Sequence, residues 1–433
     1  VSRNFEMNQI VSAKKRVTGD VRLPGDKSIS HRALMIASVA EGVSEIENLA
    51  PSADVQSTRQ CLQGLGIKIN ARGATTRVEG RGLQGFQAPT KTLDVGNSGT
   101  TMRLLSGLLV GQPFSTALTG DDSIRRRPMS RIAQPLRQMG ATIEATDDEF
   151  APLTIRGGKL RPISYRLPVD SAQVKSCVLL AGLFAEGETR VIENLPTRDH
   201  TELMLQSFGA KIEKENLTTT VFGPAKLIAQ HVYIPGDISS AAFLIAAALL
   251  TKESRLIVEN IGINPTRRAI LSVLMDMGAS IEVINFATIN NEFFADVVAK
   301  SSDLRAINIG GEIIPQIIDE IPILAILATQ ANGVTEISGA GELRVKESDR
   351  LHAVSDNLKR MAADVVEKDD GLIIRGPTPL RGAEIDSFND HRIAMAFAIA
   401  GLIASGETTI RNSECADISF PGFFDILRQV AYD

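Results

Sequence analysis

Cations and small polar residues recur in this chain where apolar helices should begin. Lys27, Ser28 and Arg32 lie in LPGDKSISHRALMIASVA, at the expected start of a small-residue helix. Lys27 supplies a point charge, and Arg32 a planar fork that fits a carboxylate or a phosphate. Asn97-Ser98-Gly99-Thr100 opens a second such helix. Gly99 has no Cβ, so backbone N–H groups there can come close to a ligand. Arg125, Arg126 and Arg127 precede Pro128. Three adjacent arginines cannot all face one way, so one is expected to reach a ligand while the others are solvated. A third start, DSAQVKS, offers Ser171 and Gln173, with Arg198 and His200 following. Neutral donors and acceptors suit a hydroxyl-rich substrate, and Ser171 equally suits ordinary N-capping.

The second half adds carboxylates. Asp319 and Glu320 precede an apolar helix, where acids also complement the helix dipole. Lys346, Glu347, Asp349 and Arg350 cluster in LRVKESDR. On a helix, Lys346 and Arg350 would share a face, and an anion between them would relieve their repulsion; a charged surface helix is the alternative. Arg392 stands in the first turn of NDHRIAMAFAIAGL, against the dipole, a local misfit that points to function. His391 reads equally as a buried core residue or a catalyst.

Six polar-to-apolar junctions of this kind begin at Lys27, Asn97, Ser171, Gly236, Ile318 and Asn389. They recur about every 65–80 residues, a self-similarity that signals repeated supersecondary units. Each helix N-terminus offers free N–H groups and a partial positive charge to an anion. A β-like run follows, as in EGVSEIENL and EGETRVIENL, and then a second helix with a stop near Gly66, Gly140, Gly209, Gly278 or Ala362. The unit therefore reads helix, strand, helix, strand, strand. Six units predict two domains of three, changing near Pro235–Asp237. A tandem array of small domains is the alternative, and the lack of Pro/Ser-rich linkers argues against it.

At 433 residues the chain calls for two or three domains. Its net charge of −5 disfavours general nucleic-acid binding. Cys61, Cys177 and Cys415 are too few and odd for a disulfide framework and fit a reducing cytosol. The longest apolar run, Ala241–Leu250, is about half a membrane span, and the first residues lack the apolar core of a signal peptide. A cytoplasmic protein without a membrane or nucleic-acid partner is expected. The five histidines (His31, His200, His231, His352 and His391) are scattered without metal-ligand spacing. Asp26 separates Gly25 from Lys27, so the first junction fails as a nucleotide P-loop. There is no nucleophile elbow and no conventional dinucleotide loop.

LPGDKSISHRALM, GNSGTTMRLLSG, RRPMSRIAQPLRQMGA, SAQVKSCVLLAGL, VKESDRL and NDHRIAMA, in order over nearly the whole chain, closely resemble the enolpyruvyl transferase family, in its shikimate branch. The resemblance implies an α/β fold, a two-domain inverse α/β barrel. Each domain would hold three repeated β/α units, with the active site in the interdomain cleft. The chain would cross between domains twice, giving one of residues 1–22 with 237–433 and another of 23–236. The implied reaction transfers the enolpyruvyl group of phosphoenolpyruvate to the 5-hydroxyl of shikimate 3-phosphate through a tetrahedral intermediate, releasing phosphate.

By the same resemblance Lys27, Gly99, Arg127, Gln173, Arg350 and Arg392 would hold phosphoenolpyruvate. Lys27, Ser28, Arg32, Ser171, Gln173, Arg198, Asp319 and Lys346 would hold shikimate 3-phosphate. Asp319 would accept the hydroxyl proton and Glu347, with Lys27, would protonate the enol. No metal or cofactor is implied, a monomer is expected, and glyphosate should inhibit. The sibling transferase acting on UDP-N-acetylglucosamine usually has a Cys in the loop after the second junction and Lys-Asn at the first. Here Gly120–Pro128 lacks Cys, and Lys27-Ser28 stands at the first junction. Some shikimate-branch members have a Lys just before the last Phe-Pro, where this chain has Ile418-Ser419. A P-loop kinase and a non-catalytic repeat scaffold are the remaining alternatives.

Overall fold

Helices made of small apolar residues on every side can be stable only where every side is covered. The structure, a computed structural model, describes residues 7–433 and buries those helices in this way. Residues 1–6, part of the expected 1–22 segment and of the stretch read for a signal peptide, lie outside the described residues. The chain packs as two compact units. The N-terminal unit comprises Gly25–Pro235 and Thr288–Glu292; the C-terminal unit comprises the segment up to Pro24, Gly236–Ala287 and Phe293–Asp433.

The N-terminal unit contains α1 (Lys27–Ser38), α2 (Ala53–Gly64), α3 (Gly99–Leu109), α4 (Asp122–Arg125), α5 (Ser130–Gln138), α6 (Ala172–Gly182) and α7 (His200–Ser207). The C-terminal unit contains α8 (Ile238–Leu250), α9 (Ala269–Asp276), α10 (Ile314–Ile317), α11 (Ile321–Ala328), α12 (Arg350–Arg360), α13 (His391–Gly401) and α14 (Phe423–Val430). Of these, α1, α3, α6, α8, α11 and α13 are the six expected apolar helices. Every residue of α11 and α13 is buried. Small residues let the helices approach backbone to backbone: a Cβ on Gly107 of α3 would stand 2.3 Å from the carbonyl oxygen of Cys177 in α6. In the C-terminal unit α8, α11 and α13 pack on one another.

Sheets flank these helices. Strands such as Glu41–Glu47 and Phe150–Arg156 alternate between buried and exposed residues, so one face meets the helices and the other meets water. Helices within and sheets without make the inverse α/β barrel expected for the fold. Among the described residues all six sheets share one plan: a short strand pairs parallel to a longer one, which pairs antiparallel to the next. In one of them, Glu407–Ile410 pairs parallel with Glu384–Ile385 and antiparallel with Gln9–Ser12. Most of the short parallel strands, among them Leu93–Asp94 and Asn308–Ile309, span two or three residues, too few to show a period in sequence.

The two units exchange leading strands. Arg16–Arg22, just before α1, pairs with Arg255–Gly262 in the C-terminal unit. His231–Tyr233, just before α8, pairs with Glu41–Glu47 in the N-terminal unit. Pro-Gly-Asp marks both passages, at Pro24–Asp26 and Pro235–Asp237. Gly25 is required there, because a Cβ would stand 1.9 Å from the carbonyl oxygen of Asn48. Asp26 and Asp237 then cap α1 and α8, accepting from Ile29 and Ser239 backbone N–H groups at 2.8 Å each. Such a cap contributes about 1 kcal/mol.

Four helix stops place glycine at positive φ: Gly66, Gly140, Gly209 and Gly278. The fifth places Ala362 there, at φ 63°. An L-residue with a Cβ pays about 1–2 kcal/mol in this region, and glycine's extra freedom in the unfolded chain offsets part of the relief. Ala362→Gly is therefore expected to stabilise the C-terminal unit by about 1 kcal/mol, read as a higher denaturation midpoint. An unchanged or lower midpoint would reject the strain at this stop.

Candidate active site

In the N-terminal unit the candidate residues sit at the starts of α1, α3 and α6. Lys27 opens α1, and its Nζ lies 2.9 Å from Asp54 Oδ2 on α2. Ser28 follows it, and its carbonyl oxygen accepts from Arg32 Nη1 at 2.8 Å. Arg32 is buried and also donates to Thr201 Oγ1 on α7 at 2.7 Å and to Ser176 Oγ on α6 at 3.0 Å. Burial lowers the Arg32 guanidinium to about 10, against the pull of Glu202 and Asp26, so it remains charged at neutral pH. Arg198 lies near enough to add to that lowering.

The start of α3 gathers guanidinium groups. A Cβ on Gly99 would stand 3.1 Å from both Arg103 Nη1 and Arg127 Nη1. Asp121 caps the short α4 and also accepts from Asn97 Nδ2 at 2.7 Å. Arg127 Nη2 in turn donates to Asn97 Oδ1 at 3.2 Å and Ser123 Oγ at 3.1 Å. These bonds turn Arg127 inward while Arg125 and Arg126 stay exposed, so one of the three arginines faces the interior. Gln173 joins α6 to the same place: its Oε1 accepts from Arg103 Nη1 at 2.6 Å, and its Nε2 donates to Thr100 Oγ1 at 3.1 Å. Ser171 caps α6, accepting from the Val174 N–H at 3.4 Å. Lys175, in the same motif, turns into the core between Glu193 at 3.0 Å and Glu202 at 2.7 Å.

In the C-terminal unit the hub is Arg350, whose side chain is 1% exposed. Its Nε donates to Asp390 Oδ2 at 2.8 Å, its Nη2 to Glu347 Oε2 at 2.6 Å, and its Nη1 lies 3.4 Å from Asp319 Oδ1. Burial opposes the charge, but Asp390, Glu347 and Asp319 more than offset it and raise the guanidinium pKa. Asp390 is wholly buried, whereas the Asp319 and Glu347 side chains keep 15% and 18% exposure. Two carboxylates are thus held in place while staying partly exposed, where a ligand's proton could come within hydrogen-bond reach. Arg392 Nη1 donates to the Asp319 carbonyl oxygen at 3.0 Å, and its Nη2 lies 3.7 Å from Asp319 Oδ2.

LRVKESDR is not one helix. Gly341–Val345 is a single 3-10 turn, Lys346 is extended, and α12 begins at Arg350 with Asp349 as its cap. Arg344 holds Asp349 at 2.7 Å and favours the break. Lys346 and Arg350 therefore share no helical face. Sequence reasoning also passed over Asp54, Arg103, Thr201 and Arg267. Each lies on a different element from the group it holds, and single-sequence spacing carries no signal for such pairs. Arg267 lies 3.4 Å from Glu320, which also accepts from Ser239 Oγ on α8. Among the described residues no cluster of three or more His, Cys, Asp or Glu could hold a metal ion, and no helix is long and apolar enough to cross a membrane.

Two groups of three repeated sheet–helix units, with cations and hydroxyls at the central helix starts, are the architecture of the enolpyruvyl transferase class. The sequence model described as EPSP synthase (3-phosphoshikimate 1-carboxyvinyltransferase) matches residues 11–427. A 3-phosphoshikimate 1-carboxyvinyltransferase of Brevibacillus brevis is 52% identical over 97% of this chain and 99% of its own length. One from Synechocystis is 54% identical over 96% and 94%. The EPSP synthase structure from Acinetobacter baumannii superposes with a TM-score of 0.88 at 42% identity, covering 98% of each chain. This chain belongs to the EPSP synthase family.

The Arg350–Asp390 pair gives a stability prediction. Burial alone would raise the Asp390 pKa, but Arg350 overrides it and holds the carboxyl below its usual value. That contribution is complete above the unfolded value of about 3.9 and is lost as pH falls through the lower folded value. Asp390→Asn should cost about 3–5 kcal/mol near neutral pH, since it leaves a buried cation short of a partner. Denaturant titrations should show the gap from wild type narrowing below about pH 4. A gap independent of pH would contradict the pairing.

Proposed function

We propose that this chain transfers the enolpyruvyl group of phosphoenolpyruvate to the 5-hydroxyl of shikimate 3-phosphate, using the helix-start residues of both units. Lys27, Gly99, Arg127, Gln173, Arg350 and Arg392 serve phosphoenolpyruvate. Lys27, Ser28, Arg32, Ser171, Gln173, Arg198, Asp319 and Lys346 serve shikimate 3-phosphate. Arg32 commits three donors within its own unit, so it acts on the phosphate through its charge and remaining N–H groups.

The reaction adds the 5-hydroxyl oxygen to C2 of the enol while C3 gains a proton, giving a tetrahedral ketal. Phosphate then leaves C2, and C3 loses a proton to restore the double bond. Asp319 takes the hydroxyl proton, and Glu347, with Lys27, delivers the proton to C3. Cations offset charge on the carboxylate and the departing phosphate. The observation that carries this reading is that the Arg350 fork holds Asp319 and Glu347 while both keep solvent access. Both substrates are small anions and one chain bears every group named, so a cytoplasmic monomer suffices, with no nucleic-acid or membrane partner.

Phosphate release from phosphoenolpyruvate should require shikimate 3-phosphate and should not occur with UDP-N-acetylglucosamine; no release with the first acceptor would overturn the reading. Arg127→Ala removes one charge-assisted contact of about 1.5–3 kcal/mol, so kcat/KM for phosphoenolpyruvate should fall about 10- to 150-fold. Gly99→Ala would press a methyl group against Arg103 and Arg127, raising KM for phosphoenolpyruvate and weakening inhibition by glyphosate. Steady-state kinetics with unchanged KM and inhibition would reject the steric argument.

A further inference from the structure

Four buried side chains form a line from α1 through α2 to the start of α3. His31 Nδ1 lies 2.6 Å from Thr58 Oγ1, and Thr58 Oγ1 lies 2.6 Å from Thr101 Oγ1. Thr101 Oγ1 donates to Ser98 Oγ at 2.8 Å, and the Thr101 backbone N–H donates to the same oxygen at 3.1 Å. Each hydroxyl has one proton to give. Thr101 spends its proton on Ser98, so it must accept from Thr58. Thr58 has then spent its own proton and must accept from His31. The imidazole must therefore carry its proton on Nδ1. A bare Nδ1 would draw the Thr58 proton and leave two oxygens 2.6 Å apart with none between them.

We infer that His31 is a positioning residue: its Nδ1–H begins a one-way hydroxyl chain that fixes the start of α3, where Gly99, Arg103 and Arg127 converge, relative to Lys27 on α1. Ser98 is the point held, because it caps α3 and both of its acceptor sites are filled from Thr101. The Lys27–Asp54 pair ties α1 to α2 a second time. Burial, with Lys27 and Arg32 nearby, holds the imidazole pKa well below its usual value, so the ring is neutral. His31 Nε2, buried with no partner among the described residues, is then a bare acceptor rather than an orphaned N–H.

The effect on catalysis rests on assigning the α3 start to phosphoenolpyruvate; the tautomer does not. Long-range proton–nitrogen NMR on the wild-type protein reads the tautomer directly, with His31 assigned by its loss in His31→Asn. Protonated Nδ1, bare Nε2 and no titration between about pH 6 and 8 are expected. The opposite tautomer, or titration in that range, would overturn the relay even if the enzyme showed no turnover. Asn places an amide N–H where Nδ1 stands, so His31→Asn should keep KM for phosphoenolpyruvate near wild type. His31→Leu should raise it about tenfold, the worth of one buried hydrogen bond, with kcat changed less. Equal KM in both variants would overturn the positioning role. If the Leu variant does not fold, the wild-type spectrum and the Asn variant decide: a raised KM in His31→Asn would count against it.

Discussion

One buried guanidinium organises the chemistry of the C-terminal unit. Removing Arg350 from water costs several kcal/mol unless its charge and its forked donors are matched. Asp390 matches it from the cap of α13, Glu347 from the turn before α12, and Asp319 from the chain entering α11. The fork therefore fixes three helix starts at once. It also separates their carboxylates by environment: Asp390 is sealed and neutralises, while Asp319 and Glu347 stay partly exposed. Arg32 plays a comparable part in the N-terminal unit, joining α1 to α6 and α7 through Ser176 and Thr201.

The repeated scaffold carries unequal duties. Each repeat presents a helix N-terminus, but the charges differ. The starts of α1 and α3 gather cations, that of α6 gathers neutral groups, and those of α11 and α13 combine carboxylates with arginines. The start of α8 bears no cation, and Ser239 there braces Glu320 together with Arg267. Glu320 in turn lies 3.9 Å from Arg392. A helix start that bears no cation of its own thus supports a neighbour that does, at Arg392.

Much of the architecture was legible because it repeats. The six apolar helices, the strands after them and the glycine stops follow from residue pattern alone, and the ordered motifs pointed to the family. Three kinds of feature were not legible. Leading strands of two or three residues, such as Leu93–Asp94, have no period to detect. LRVKESDR looked like a continuous helix, but the Asp349 cap and its Arg344 partner divide it, and i,i+4 spacing cannot anticipate a cap. Pairs such as Lys27–Asp54 and Arg103–Gln173 join distant elements. Lys175 was equally hidden: it sits in a motif with Ser171 and Gln173 yet points into the core, because Glu193 and Glu202 compensate its burial there. The arginine triplet was legible in one respect, since crowding alone requires its members to diverge, and Arg127 is the one turned inward.

The central claim is that the shape of Arg350, as well as its charge, holds the carboxylates. Arg350→Lys keeps the charge and removes the fork. The measurement is kcat/KM for phosphoenolpyruvate with shikimate 3-phosphate, taken beside the denaturation midpoint of the same variant. Both should fall, the rate by at least about tenfold, because one ammonium cannot meet three carboxylates set around a planar group. Wild-type turnover and stability in Arg350→Lys would contradict the account.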